Sequence, residues 1–255
     1  MVLYSASSSY YSMIGRYALL EAGVPFQLRR MDIHLAKEQL SPWYMKINPS
    51  MTVPALVDNE QIWTDSQDIL KFAADKAGEL WMDADAECAS RIEELVRDQY
   101  SITIERLTFG KALSRIALLR FFALNMLRKA IRSLEAELPT SLDKAAIEAK
   151  ISLNKQRLAY FTEGSLVEKL EIERNNIRCY LKKLPVPQTF LLGEKISSVD
   201  ILTVVLLGRL KMIGEYQLVE SVDLMNWFKR MQSRPAYKEA DIWTYFQPWR
   251  ILLKR

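Results

Sequence analysis

The spacing of apolar residues changes near residue 80, and this change constrains the fold more than any other feature of the sequence. Before it, short runs typical of strands alternate with runs typical of helices. The strand-like runs are 2–5, 26–32, 53–57 and 61–63, and the helix-like runs are 16–22, a short one from 41, and 66–76. The order βαβαββα predicts a compact α/β domain with a mixed four-stranded sheet in residues 1–80.

Beyond residue 85 the strand signals disappear, and the apolar residues follow helical spacing. This spacing predicts helices over 91–109, 112–138, 145–160, 166–184 and 200–212. The last of these is apolar nearly all round, which predicts a buried central helix. Ser197 and Asp200 precede it with the spacing of a capping box, so we expect Asp200 to have a structural role. We therefore predict a second, all-helical domain over residues 86–255.

Residues that bind metals are scarce in this chain. The 255 residues include one histidine, His34, and two cysteines, Cys88 and Cys179, which lie far apart. These numbers exclude a HExxH zinc site, a cysteine-rich zinc site and a disulfide framework, so we expect no metal. We interpret His34 as a loop residue and both cysteines as buried, inert thiols. Any catalysis must then use hydroxyls, carboxylates, amides or a group that a co-substrate supplies.

The charge is mild and evenly distributed. Lysine and arginine number 35 against 31 aspartate and glutamate, a net charge of +4, and the basic residues are dispersed. This distribution predicts ordinary solvated helix faces and no nucleic-acid partner. The first residues lack the basic region of a signal peptide, and the most apolar stretch is short and interrupted by Arg120. We therefore expect a cytoplasmic protein with no membrane partner.

Two features of the first 80 residues indicate a ligand that resembles an amino acid. Val53-Pro54 precedes a strand, and a cis bond there would turn the Val53 N–H and C=O toward a groove where an extended peptide can pair. Asp65-Ser66 begins a helix whose N–H groups, together with the Ser66 hydroxyl, suit a carboxylate, while Asp65 suits an ammonium. An ordinary loop proline and a plain helix N-cap remain the alternative interpretations.

Taken together, the ordered motifs resemble the glutathione transferase superfamily. The motifs are Arg16-Tyr-Ala-Leu-Leu-Glu-Ala-Gly-Val-Pro25, Pro42-Trp-Tyr-Met-Lys-Ile-Asn-Pro49, Val53-Pro-Ala-Leu56, Asp65-Ser66, Phe190-Leu-Leu-Gly193, Ser197-Ser-Val-Asp200 and Met231-Gln-Ser-Arg-Pro-Ala-Tyr237. The resemblance implies a thioredoxin-like N-terminal domain and an all-α C-terminal domain. The long helical region from about 105 to 184 is similar to the branch that holds bacterial reductive dehalogenases of chlorinated hydroquinones. Ganglioside-induced differentiation-associated proteins share this enlargement, and bacterial β-etherases are a more distant comparison.

The same resemblance implies glutathione as co-substrate and a homodimer. Val53, with Pro54, would pair with the cysteinyl backbone of glutathione. Ser66 would hold the γ-glutamyl carboxylate and Asp65 the ammonium, although the family usually has Glu or Gln before that serine. Gln39 matches a position that several classes use for the glycyl carboxylate.

The family's thiolate donor lies in the loop after the first strand, and the corresponding position here is Ser9. A hydroxyl that donates to a thiolate stabilises it by about 1.5–3 kcal/mol, which lowers the pKa of the thiol by roughly one to two units. Ser8, Tyr10 and Tyr11 are alternative donors in the same loop. Tyr11 stands where the dehalogenase branch has its catalytic cysteine, which argues against reductive dehalogenation.

The second substrate is less constrained by the sequence. Tyr10, Tyr11 and Tyr100 are the candidates for its pocket, whereas Phe109, Phe121 and Phe122 are interpreted as core or pocket residues. We expect a detoxifying glutathione transferase that conjugates the glutathione thiolate to an apolar electrophile. The alternatives are a protein of low activity that binds glutathione or a protein partner as a sensor or scaffold, and a glutathione-dependent lyase of aryl ethers.

Overall fold

A computed structural model describes residues 1–115, 117–141 and 143–252. Its strands are β1 (Val2–Ser5), β2 (Gln27–Arg30), β3 (Ala55–Asp58) and β4 (Gln61–Trp63). Its α-helices are α1 (Tyr10–Glu21), α2 (Pro42–Met45), α3 (Ser66–Ala77), α4 (Ala86–Ser101), α5 (Ile104–Arg115), α6 (Ala117–Glu137), α7 (Lys144–Thr162), α8 (Leu166–Lys183), α9 (Ser198–Met212), α10 (Val222–Met231), α11 (Pro235–Glu239) and α12 (Pro248–Leu252). The predicted order βαβαββα and the helical remainder are confirmed.

The four strands form one mixed sheet in the order β2-β1-β3-β4. β1 runs parallel to β2 and antiparallel to β3, with Leu3 opposite Leu28 and Leu56. Leu3 and Leu56 are completely buried because β1 and β3 are the central strands. All four residues of β2 are exposed, since this strand lies at the edge of the sheet.

The described residues divide into two compact units. The first contains Met1–Asn48, Thr52–Ser101 and the described residues from Arg178 onward, and the second contains Pro49–Met51 and Ile102–Ile177. The first unit thus holds the sheet together with α4 and α9, and the second holds α5, α6 and α7. The predicted domain boundary between residues 80 and 86 stays a prediction, because compactness alone does not define a domain.

Helix α9 is buried, as predicted, and it lies in the first unit together with the sheet. Its residues are buried on every side from Ser198 to Leu210, and it packs against α1, α3 and α4. The predicted capping box is present, because the Ser197 hydroxyl accepts from the backbone N–H of Asp200 at 3.4 Å and the Asp200 carboxylate accepts from that of Ser197 at 2.8 Å. The apolar composition of α9 therefore follows from its central position.

The second unit has its own small core, in which Leu113, Leu124 and Phe161 are buried together. A nearly buried carboxylate, Glu173, lies 3.3 Å from the guanidinium of Arg106. Three aromatic residues lie outside this core, with exposed fractions of 51% for Phe109, 61% for Phe121 and 56% for Phe122. Of the two interpretations of these rings, core or pocket, the core is wrong, because α5 exposes Phe109 and α6 turns Leu124 inward and Phe121 and Phe122 outward. Over the part of the chain that the structure describes, no helix is both long and apolar enough to span a membrane.

Candidate functional site

The loop between β1 and α1 ends at Ser9, which is the N-cap of α1. Its hydroxyl oxygen accepts the backbone N–H of Ser12 at 3.3 Å, and its carbonyl accepts the N–H of Met13 at 3.0 Å. Within the described residues, no acceptor lies within hydrogen-bond distance for the hydroxyl proton of Ser9. The half-buried side chain can therefore donate to a ligand while it continues to cap the helix.

Two guanidinium groups hold the carbonyl groups of this loop. Arg16, which is only 3% exposed, donates to the Ser5 hydroxyl at 2.6 Å and to the Ala6 carbonyl at 3.2 Å. Arg209 donates to the Ser8 carbonyl at 2.9 Å. Burial lowers the pKa of Arg16 to about 10, which still leaves the group protonated at neutral pH. The loop therefore lies in a positive potential, which favours an anion near it.

Ser8, next to Ser9, is paired with the only histidine of the chain. The Ser8 hydroxyl oxygen lies 2.7 Å from Nε2 of His34. Burial lowers the pKa of His34 below its ordinary value of 6.5, so the ring is neutral at neutral pH. A neutral ring that carries its proton on Nδ1 accepts at Nε2 from the Ser8 hydroxyl, whereas the other neutral tautomer donates from Nε2 to the Ser8 oxygen. His34 does lie in a loop, as predicted, but the sequence did not reveal its pairing with Ser8.

The Val53–Pro54 peptide bond is cis. Strand β3 begins two residues later, at Ala55, which is the last residue that pairs with β1. The preceding carbonyl, of Thr52, accepts from the Tyr44 hydroxyl at 2.7 Å. Val53 itself has no hydrogen-bond partner for its N–H or its C=O among the described residues. These two groups can therefore pair with an extended peptide as a short added strand.

Asp65 and Ser66 begin α3 in different environments. Asp65 is the N-cap, and its exposed carboxylate accepts the N–H of Gln67 at 2.6 Å. Ser66 is 3% exposed, and its hydroxyl lies 3.1 Å from the hydroxyl of Tyr100 on α4. Burial raises the pKa of Tyr100, so its hydroxyl stays protonated. A tyrosine predicted for the second-substrate pocket thus orients the serine predicted to bind the γ-glutamyl carboxylate.

The remaining predicted residues already bind protein groups. The buried hydroxyl of Tyr10 accepts from Nε2 of Gln99 at 3.0 Å, and the ring of Tyr11 packs edge-on against that of Tyr10 with 5.2 Å between centroids. Gln39 donates from Nε2 to the Ile33 carbonyl at 3.3 Å, whereas its Oε1 is buried without a partner in the described chain. No group of three His, Cys, Asp or Glu side chains suited to a metal occurs in the ranges that the structure describes.

Comparisons with known proteins identify the family of this chain. The family model of the glutathione S-transferase N-terminal domain matches residues 8–76, and that of the C-terminal domain matches residues 143–235. Tetrachloro-p-hydroquinone reductive dehalogenase of Sphingobium chlorophenolicum is 25% identical over 244 residues, covering 94% of this chain and 95% of that protein. The predicted resemblance to the dehalogenase branch is thereby confirmed.

Solved structures share the fold at lower identity. Glutathione transferase F7 from Populus trichocarpa is 19% identical with a TM-score of 0.62, covering 96% of this chain and 99% of that one. A glutathione transferase family member from Pseudomonas fluorescens, solved with two glutathione bound, is 16% identical with a TM-score of 0.64, covering 94% and 92%. The two family models together cover β2 to β4 and α7 to α10, which is more than half of the chain, and the chain therefore belongs to the glutathione S-transferase family.

Proposed function

We propose that this protein is a glutathione transferase that joins the glutathione thiolate to an apolar electrophile, with Ser9 as the thiolate donor. The observation that carries the proposal is the state of the Ser9 hydroxyl, which caps α1 as an acceptor and keeps its proton. Donation to a thiolate contributes about 1.5–3 kcal/mol and lowers the thiol pKa by roughly one to two units. The N-terminus of α1 and the guanidinium groups of Arg16 and Arg209 act in the same direction.

Glutathione would bind along Val53 and the start of α3. The unpaired N–H and C=O of Val53, beside Pro54, would pair with the cysteinyl backbone, and Ser66 would donate to the γ-glutamyl carboxylate. The exposed carboxylate of Asp65 uses Oδ1 for the N-cap bond. Its Oδ2 would accept from the ammonium of glutathione. Gln39 would have to exchange its bond to a loop carbonyl for one to the glycyl carboxylate.

The second substrate would contact the tyrosines near Ser9. In this proposal Tyr10, Tyr11 and Tyr100 line its pocket, and they offer ring faces to an apolar electrophile. The hydroxyl of Tyr10 is bound to Gln99 and that of Tyr100 to Ser66, so neither is a free donor. Family membership supports detoxification by a cytoplasmic homodimer as the setting of this reaction.

Reductive dehalogenation, which the name of the Sphingobium relative states for that protein, has less support here. The position of the expected catalytic cysteine holds Tyr11, and the two cysteines of the chain lie on α4 and α8. Cys179 is exposed and Cys88 is half-buried, so their interpretation as buried thiols was wrong. We expect Cys88→Ser and Cys179→Ser to leave glutathione turnover unchanged. A fall in turnover in either variant would instead indicate thiol exchange on the protein.

The first experiment asks whether glutathione binds at all. We expect retention on immobilised glutathione and a rise in melting temperature with millimolar glutathione. Absence of both would refute the proposal. Binding without conjugation of any aryl halide would favour the alternative, a low-activity sensor or scaffold, whereas cleavage of aryl ethers would identify a lyase.

The second experiment identifies the thiolate donor. The ultraviolet absorbance of bound glutathione gives the pKa of its thiol, and Ser9→Ala should raise that pKa by about one to two units. Ser8→Ala, Tyr10→Phe and Tyr11→Phe are compared in parallel, because each removes an alternative donor. If Ser9→Ala leaves the pKa unchanged and another variant raises it, the role belongs to that other residue.

A further inference from the structure

A cavity of about 290 Å³ adjoins Ser8, one residue from the proposed thiolate donor. Its wall combines the loop after β1, the end of β2 with the following loop, and the segment that carries Trp243 and Arg250. All of these segments belong to the first compact unit. The volume suits a molecule about the size of one substituted aromatic ring, and Ile33 supplies apolar contact.

Three arginines line this cavity, and two of them are neutralised. Arg29 lies 3.1 Å from the Glu38 carboxylate. Arg250 makes two contacts of 2.6 Å with the two carboxylate oxygens of Asp241. Arg30 has neither a hydrogen bond nor an ion pair from its guanidinium among the residues that the structure describes. Its charge is therefore available to a ligand.

The two carboxylates of the cavity wall are held by backbone donors. Glu38 accepts the N–H of Asp32 at 2.6 Å, and Asp32 accepts the N–H groups of His34 at 3.1 Å and Leu35 at 2.8 Å. These bonds fix both acids in the wall, where they would repel a ligand that carries two negative charges. Because Glu38 is already paired with Arg29, the wall sets one guanidinium, Arg30, beside one carboxylate, Asp32, and a ligand with a single negative charge meets less repulsion there than a phosphate.

We propose that this cavity binds a small aromatic second substrate that carries a carboxylate, with Arg30 as the partner of the carboxylate and Ile33 as an apolar contact. As a statement about the substrate, this inference rests on the proposed function, because the cavity adjoins Ser9 through Ser8. It gives electrophiles that carry a carboxylate a site other than the tyrosine-lined pocket, since Tyr10, Tyr11 and Tyr100 do not line the cavity. The claim that the cavity binds an aromatic carboxylate does not depend on any reaction of glutathione. Arg30 is then a specificity-determining residue.

Binding is tested by calorimetry on the full chain, with nitrobenzoate and its neutral analogue nitrobenzamide as probes. We expect the wild-type protein to bind nitrobenzoate at least about tenfold more tightly than nitrobenzamide, and Arg30→Gln to abolish the difference. Arg97→Gln removes an exposed arginine of α4 that does not line the cavity. This control variant should keep the difference in affinity between nitrobenzoate and nitrobenzamide. Equal affinities, or no effect of Arg30→Gln, would overturn the proposal.

Kinetics with two electrophiles separate this proposal from the proposed function. We expect Arg30→Gln to lower kcat/KM for chloronitrobenzoate about tenfold, while kcat/KM for neutral chlorodinitrobenzene and the KM for glutathione stay unchanged. A rise in the KM for glutathione would assign Arg30 to glutathione and overturn the proposal. If the wild-type protein binds nitrobenzoate through Arg30 but conjugates neither electrophile, the cavity proposal stands and the proposed function fails.

Discussion

The carboxylate of Asp200 gives the sharpest test of the physical description of the fold. It is completely buried, and it accepts the N–H of Leu191 at 2.8 Å, the N–H of Ser197 at 2.8 Å and the Ser197 hydroxyl at 2.5 Å. These three bonds favour the ionised carboxylate, whereas burial favours the protonated one. Burial is the larger effect and raises the pKa of Asp200 from 3.8 to about 7.

A pKa that is higher in the folded than in the unfolded protein makes stability fall as the pH rises. Below pH 3.8 Asp200 is protonated in both states, and above about pH 7 it is ionised in both. Between these values only the unfolded chain has lost the proton, so each pH unit lowers the free energy of unfolding by about 1.4 kcal/mol. Over this window the loss is roughly 4 kcal/mol, a large share of the 5–15 kcal/mol typical of a domain.

Urea denaturation from pH 4 to pH 8 measures this loss, with Asp200→Asn as the reference that cannot titrate. The free energy of unfolding of the wild-type protein minus that of Asp200→Asn should fall by roughly 4 kcal/mol up to pH 7 and then stay level. Titrating groups that do not interact with Asp200 contribute equally to both proteins and cancel in the difference, and Asp83, which raises the pKa of Asp200, is held constant by making both measurements in an Asp83→Asn background. A level difference over the whole range would show that the three hydrogen bonds outweigh burial, and would refute the reasoning.

Two further predictions concern packing and ligand binding. Gly110→Ala should destabilise the protein by about 1–3 kcal/mol in urea denaturation, because a Cβ there would overlap the side chain of Leu170. Gly15→Ala is the matched control: its Cβ would make ordinary contacts of 3.5 Å, and it should stabilise α1 by up to about 1 kcal/mol; similar costs at both glycines would contradict the packing argument. Ser66→Ala should raise the KM for glutathione about tenfold, and Tyr100→Phe, which only removes the orienting bond of 3.1 Å, should raise it less. A larger effect of Tyr100→Phe would show that the tyrosine itself binds the ligand.

Local sequence signals were sufficient for the elements of the fold but not for every boundary. The capping box before α9 and the short strand-like run of β1 depend on neighbouring residues, so both could be predicted. The helix predicted over 91–109 is instead two helices, since α4 ends at Ser101 and α5 begins at Ile104. Neither Gly nor Pro marks this break, and the buried side chains of Ile102 and Ile104 indicate that packing determines it.

In the candidate site, too, local sequence signals predict the start of an element but not the contacts made by residues distant in the chain. The positions of Ser9, Val53 and Ser66 could be proposed from motif order, because each begins or precedes an element with a recognisable start. The guanidinium groups around the Ser9 loop could not be predicted from the sequence, since Arg209 binds the carbonyl of Ser8, which lies 201 residues away in the chain. The outward orientation of Phe121 was missed for a related reason, because helical spacing alone does not say which face of α6 is buried.

Two adjacent serines illustrate how the fold makes chemically equal residues different. In the sequence Ser8 and Ser9 are equivalent hydroxyl donors, and nothing local favours one over the other. In the structure the Ser8 hydroxyl is hydrogen-bonded to Nε2 of His34, whereas the Ser9 hydroxyl accepts from the N–H of Ser12 and has no acceptor for its own proton among the described residues. A His34 ring that carries its proton on Nδ1 accepts the Ser8 proton, whereas a ring protonated on Nε2 donates to the Ser8 oxygen. The single histidine of the chain thus supports the assignment of Ser9 by occupying its nearest competitor, without taking part in the proposed chemistry.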